Sequence, residues 1–225
     1  ALVIYVDDLL FTTANKEIWT HFMVTINKYF RVEDKGVCTE FLGIKITRTF
    51  NGGFILEQMR VIRDIIAEHC TLQGNKVYKQ PLGADFELSH ADWPAPGQEI
   101  RAYEARAILG KLLHVQRWTR PDLGVAVREI SKHVAHANEK VWIALQHVLA
   151  YLRGSLEVGL VYERGNSSDV KVWTDAAYAT CKDTLRSVTG LVVTVGGTAV
   201  LHASRLQSIV THSSTEAEWL ALVDG

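Results

Sequence analysis

Apolar positions along the chain recur with two different periods, and the changes of period divide it into strands, then helices, then strands again. Residues 1–6 run apolar into Asp7-Asp8, and Leu9-Leu10-Phe11-Thr12-Thr13 runs apolar out, which predicts a β-hairpin with two carboxylates at its tip. Ile18, Trp19, Phe22, Met23, Ile26 and Phe30 follow at helical spacing behind Asn15, a favoured helix cap, so a helix is predicted to about residue 30 with its stripe in the core. Phe41 to Thr49, the turn signal Asn51-Gly52-Gly53, and Phe54 to Glu57 read as a second hairpin. Met59, Ile62, Ile65, Ile66 and His69 mark one face of a helix whose other face carries Arg60, Arg63, Asp64 and Glu68.

Residues 71–98 hold three of the four prolines and read as a loop. Helices are predicted over 99–118, 122–137 and 139–153, with Pro121 suited to a helix start and Gly154 to a stop. Beyond Gly154 short β runs take over at 158–162, 170–173, 191–195, 199–203 and 208–211, and a helix over 214–222 follows. The expected class is α+β, in three units: 1–57, 58–156 and 157–225.

Composition narrows the picture. With 225 residues and 48% hydrophobic content the chain can build a real core. A net charge of −1 does not mark a nucleic-acid binder, although residues 99–153 hold nine Lys or Arg against five Asp or Glu. On charge alone that surplus reads as a solvated helical surface. Cys38, Cys70 and Cys181 lie far apart and are expected as free thiols, and His114, Cys181, His202 and His212 fit no compact zinc spacing. No stretch of about 18 apolar residues suggests a membrane span, and no basic-then-apolar leader opens the chain, so no membrane partner and an intracellular location are expected. The chain begins with Ala1 and directly on a strand, and is expected to be cut from a longer one.

Candidate chemistry lies in the carboxylates. Asp7 and Asp8 fix negative charge at one point, and magnesium is usually held by one or two carboxylates with substrate phosphates, as in nucleotidyl transfer by two metals. An ordinary polar turn is the competing reading. The run Tyr5-Val6-Asp7-Asp8-Leu9 resembles the catalytic hairpin of reverse transcriptases. Four further blocks follow in the order seen in copia-type LTR retrotransposon polyproteins: Thr39-Glu40-Phe41-Leu42-Gly43-Ile44, Thr119-Arg120-Pro121-Asp122, Tyr151-Leu152-Arg153-Gly154-Ser155 and Ser213-Ser214-Thr215-Glu216-Ala217-Glu218. The resemblance covers nearly the whole chain.

It implies the rear of a polymerase palm over 1–57, a helical thumb and connection over 58–156, and the front of a ribonuclease H-like domain over 157–225. It places Asp7 and Asp8 as magnesium ligands for RNA-directed DNA synthesis. Phe41, Leu42 and Gly43 become candidates for gripping the primer end, with a plain hairpin as the alternative, and Arg120 a candidate contact to a primer-template duplex. Trp173-Thr174-Asp175 is similar to the first catalytic strand of ribonuclease H, so Asp175 and Glu218 are expected to bind magnesium for cleaving RNA in an RNA-DNA hybrid. Without the resemblance, a strand-end aspartate and a helix glutamate 43 residues apart say little.

Some positions depart from the family pattern. Ala177 stands where members usually carry an acid, Tyr178 and His202 replace other aromatics, and Leu185-Arg186 replaces a basic pair. Only six residues precede Asp7, and Gly225 ends the chain soon after Glu218, so each acidic site is expected to be half present and the isolated chain inactive. The expected partners are the rest of the polyprotein and nucleic acid, in cytoplasm or a virus-like particle. The alternative is a domesticated or degenerate relic that binds nucleic acid through residues 99–153 without catalysis.

Overall fold

A computed structural model describes residues 1–83, 86–165 and 168–225. Residues 84–85 of the expected 71–98 loop lie outside the described residues.

The chain opens on β1 (Leu2–Tyr5) and β2 (Asp8–Phe11), paired antiparallel with Tyr5 opposite Asp8. The turn is therefore Val6-Asp7, and Asp8 belongs to the strand rather than the tip. Val6 has φ 51°, a left-handed conformation that costs a β-branched residue about 1–3 kcal/mol. α1 (Lys16–Ile26) starts where Asn15 accepts a hydrogen bond from the Glu17 amide. Its predicted core stripe is not buried: α1 has no buried residue, Phe22 stacks on Phe11 and Trp19 lies tilted against it, while Ile18 and Phe30 are exposed. Periodicity identified an apolar face but not what covers it.

The expected strand 41–49 is two strands. β3 (Glu40–Phe41) and β4 (Ile44–Arg48) are joined by Leu42 (φ 54°) and Gly43 (φ 75°), a two-residue turn with both φ positive. β5 (Phe54–Glu57) pairs with β4 beyond the Asn51-Gly52 turn. β6 (Leu160–Tyr162) pairs antiparallel with β5, so this four-stranded sheet crosses the boundary expected at 156. Gly53 makes that pairing possible, because a Cβ there would lie 2.3 Å from the Tyr162 carbonyl oxygen.

Four helices hold the main core: α2 (Met59–His69), α3 (Ala102–Trp118), α4 (Gly124–His133) and α5 (Glu139–Arg153). Ile62, Ile108, Leu112, Ile130, Leu145 and Leu149 lose all solvent contact there, and each such side chain contributes about 1.5–3 kcal/mol by burial. The helix expected over 122–137 is interrupted at both ends. Pro121–Leu123 and Val134–His136 are 3-10 turns flanking α4.

The last strands form a separate antiparallel sheet in the order β7 (Val170–Ala177), β8 (Val188–Val195), β9 (Thr198–Leu206). Ser208–Thr211, expected as a strand, is a bent connection held by a 2.8 Å hydrogen bond between Ser187 and Thr211 hydroxyls. α6 (Ser214–Asp224) packs on β7 and β8, burying Ala217 and Ala221. The sheet docks on the rest through Gln116 Nε2 and His202 Nε2 at 2.6 Å, and through the Tyr162 hydroxyl donating to the Ala199 carbonyl at 2.9 Å. Burial around His202 holds its imidazole below the usual range. The three cysteines are free, as expected.

Candidate functional site

The Val6-Asp7 turn presents Asp7 and Asp8 to solvent on adjacent positions. Among the described residues neither carboxylate has a hydrogen-bond or ion-pair partner. Both remain free to take a hard cation. Magnesium asks for oxygen ligands and keeps several waters or phosphates, and this pair fits that demand in kind.

Asp175 and Glu218 are arranged differently. Asp175 lies inside β7, opposite Gly190, rather than at a strand end. Side chains alternate along a strand and directly opposed residues share a face. Thr189 donates to Asp224 at 3.3 Å, and a Cβ on Gly225 would meet Thr174 and Leu191. The α6 side of the sheet therefore carries Thr174, Ala176, Thr189 and Leu191, and Asp175 points to the other side with Trp173. Glu218 stands exposed on α6 beside buried Ala217. Two residues before it, Glu216 accepts from the His212 amide at 2.7 Å while Ser213 accepts from the Glu216 amide at 3.1 Å, a reciprocal helix cap. Glu216 is thus a capping residue. Among the described residues no three His, Cys, Asp or Glu side chains are grouped to hold a metal ion.

The remaining candidates divide by burial. Phe41 ends β3, Leu42 and Gly43 form the turn into β4, and all three are half-buried. Arg120, the candidate contact to a primer-template duplex, is fully buried and turned into the fold. Its guanidinium donates to both Asp122 carboxylate oxygens at 3.0 and 2.7 Å, and to the Ser155 carbonyl and hydroxyl at 2.8 Å each. Tyr151 donates to Asp122 at 2.6 Å, and Ser155 donates to the Tyr151 carbonyl at 2.9 Å. Two of the sequence blocks, 119–122 and 151–155, thus meet in one network tying the α3–α4 corner to the end of α5. Desolvation acts to raise the Asp122 pKa, but hydrogen bonds from Arg120 and Tyr151 outweigh it and hold the carboxyl below the usual range. Sequence reading missed this lock because it saw the blocks singly. The Arg-Pro-Asp spacing, which sets a guanidinium beside a carboxylate, was the available signal.

The other basic side chains of 99–153 are engaged as well. Lys111 pairs with Glu68 at 2.5 Å, Lys132 with Glu129 at 2.6 Å, Arg128 with Glu129, and Lys140 with Asp92. Arg101 and Arg117 lie over tryptophan rings, and Arg106 and Arg153 reach backbone carbonyls. All nine cations of the surplus have partners within the fold.

Comparison with known proteins follows the same blocks. Over 99% of its length the chain is 30% identical to a retrovirus-related Pol polyprotein from transposon TNT 1-94 of Nicotiana tabacum, and 30% identical to one from transposon RE2 of Arabidopsis thaliana. It spans 17% and 15% of those relatives' lengths. It also covers 89% of an uncharacterized mitochondrial protein of Arabidopsis thaliana at 28% identity. No family model matches the chain, and no solved structure matches it. The polymerase-palm and ribonuclease H assignments thus have no structural neighbour behind them, while the mixed α and β content agrees with the expected α+β class. The chain belongs to the Pol polyproteins of copia-type LTR retrotransposons.

Proposed function

We propose that this segment serves RNA-directed DNA synthesis in a longer polyprotein, with Asp7 and Asp8 contributing carboxylates to a magnesium-dependent polymerase centre. The observation that carries the reading is the strained Val6-Asp7 turn, at which Asp7 and the first residue of β2, Asp8, present carboxylates without partners among the described residues. Bound magnesium would neutralise phosphate charge and orient the attacking and leaving oxygens. Asp7 and Asp8 would supply oxygen ligands from adjacent positions of the hairpin. Other carboxylates must complete the centre, because two acids cannot surround two metal ions.

The same reading gives Asp175 and Glu218 to cleavage of RNA in an RNA-DNA hybrid. It has less geometric support, since alternation along β7 turns Asp175 away from α6. A primer-template duplex and an RNA-DNA hybrid are the substrates proposed.

The test is primer extension by the longer polyprotein in magnesium. Asp7→Asn or Asp8→Asn is expected to lower extension at least about 100-fold, the scale of losing a charge-stabilising group in a preorganised site. Hybrid cleavage measured in parallel is expected to persist. Full extension by Asp7→Asn refutes the assignment.

A further inference from the structure

The loop between β4 and β5 carries an aromatic ring that the fold does not use. At 105% accessibility Phe50 loses no surface to the rest of the chain, so burial contributes nothing to holding it there. Its position is fixed all the same. The Thr49 carbonyl accepts from the Gly52 amide at 3.0 Å, the Gly53 carbonyl from the Thr49 amide at 3.0 Å, and the Thr49 hydroxyl from the Gly53 amide at 2.9 Å. Gly52 has φ 79°, the left-handed step that closes a three-residue hairpin loop. β4 lies between β3 and β5, and β5 between β4 and β6, so the loop projects from the interior strands of its sheet.

Two guanidinium groups stand beside this loop. Arg48, Phe54 and Tyr162 are opposed in register and share one face, and Arg48 lies over the Phe54 ring at 5.0 Å. Arg164 runs across Gly52, where a Cβ would sit 3.1 Å from its Cδ and 3.3 Å from its Nη1. Among the described residues neither arginine has an ion-pair partner. Residues 48–54 and 162–165 set one acid, Glu163, against them.

We infer that the β4–β5 loop binds an unpaired stretch of nucleic acid, with a base stacked on Phe50 and the flanking phosphates held by Arg48 and Arg164. Every base has a π-face, so one exposed ring stacks on any of them while neighbouring cations follow the backbone. Guanidinium groups also match phosphate with two parallel hydrogen bonds. A protein partner would ask for about 800 Å² of complementary surface with an apolar centre. Around Phe50 stand Thr49, Asn51, Gly52 and two arginines instead, and a lone ring among polar groups suits a base. The inference rests on the proposed polymerase reading only for the source of the strand, the template or primer beyond its duplex. The loop lies at the opposite end of β4 from the Leu42-Gly43 turn, about 17 Å away along the strand.

Fluorescence anisotropy on the 225-residue chain tests the contact, with a labelled single strand of about 16 nucleotides and a duplex of the same length at low salt. The single strand is expected to bind more tightly, because a duplex hides its base faces. Phe50→Ala should weaken single-strand binding about 5- to 100-fold, the scale of losing one base–aromatic stack, and leave Tm unchanged. Phe50→Trp should keep the affinity, and its added indole emission should be quenched by the strand. Arg48→Ala and Arg164→Ala should each reduce the slope of log affinity against log salt by about 0.7. Asp7→Asn is expected to bind the strand as the parent does, so a failure of primer extension and a failure of this contact are read separately. The longer polyprotein should show the same loss of affinity with Phe50→Ala. Absence of single-strand binding at low salt, binding indifferent to Phe50→Ala, or an unquenched Phe50→Trp each overturns the inference. So does a Phe50→Ala defect confined to association with the rest of the polyprotein, which would make the loop a protein contact.

Discussion

Replacing Arg120 by methionine separates a structural guanidinium from a nucleic-acid contact. Arg120 has no exposed surface and makes four hydrogen bonds, two to Asp122 and two to Ser155. Its guanidinium carbon also lies 5.3 Å from the centre of the Tyr151 ring. Methionine fills much of the stem volume and makes none of the bonds. The Asp122 carboxylate, 32% exposed, would keep only Tyr151 as a strong donor. Removing one partner of a buried ion pair costs about 3–5 kcal/mol, most of it from stranding the other charge. For a chain of this size each kcal/mol moves Tm by roughly 2–4 °C, so Arg120→Met should melt about 6–20 °C lower.

The second arm of the same test is a double-mutant cycle. Arg120→Met with Asp122→Asn removes both charges and should recover part of the loss, giving a coupling of at least about 1 kcal/mol. Acid titration adds a sign. Asp122 titrates lower in the folded chain than in the unfolded one, so its contribution is complete above the unfolded carboxylate range and is lost as pH falls through the folded pKa. Arg120→Met should therefore be less acid-sensitive below about pH 4 than the parent. Thermal and urea unfolding followed by circular dichroism measure all three. A loss under about 1 kcal/mol with weakened duplex binding would return Arg120 to the nucleic-acid surface and refute the lock.

Two further outcomes are expected. Burial holds the His133 imidazole below its usual range, and its Nδ1 accepts from Trp93 Nε1 at 3.0 Å. The folded state thus favours the neutral ring, and stability should fall as pH drops below the unfolded value near 6.5, a dependence that His133→Phe should flatten in Tm measured from about pH 7 to 5. Gly53→Ala would set a Cβ 2.3 Å from the Tyr162 carbonyl oxygen. It should cost about 1–3 kcal/mol by overpacking and raise hydrogen exchange selectively in β6.

Local signals in the sequence located most elements. Asn15 caps α1 as its side chain suggests, α2 keeps Ile62 and Ile65 inside and its charges outside, and the Asn-Gly turn joins β4 to β5. What escaped was set by distant parts of the chain. Leu42 carries no turn signal, yet Phe41 and Ile44 pair across it, so one apparent strand became two. β6 pairs with β5 across about a hundred residues, a contact no window of sequence contains. The stripe of α1 was read as core because periodicity reports that an apolar face exists, not that another element covers it. Of the candidate acids, Asp7 and Asp8 could be placed from the hairpin pattern, off by one residue in the turn. The face on which Asp175 stands could not, because it depends on the packing of α6.

Charge makes the clearest contrast between the two halves of the functional reading. A local surplus of cations over 99–153 looked like a binding surface, yet its members are tied to Glu68, Asp92, Asp122, Glu129, tryptophan rings or backbone carbonyls. A cation already paired gains less from a phosphate, since one favourable contact must be exchanged for another. The acids Asp7 and Asp8 are the opposite case, with no ion-pair or hydrogen-bond partner among the described residues. Side chains left unpartnered at the end of a strained turn are the ones available to an external ion. For this chain, then, chemistry is better sought where the fold leaves charge unmet than where the sequence concentrates it.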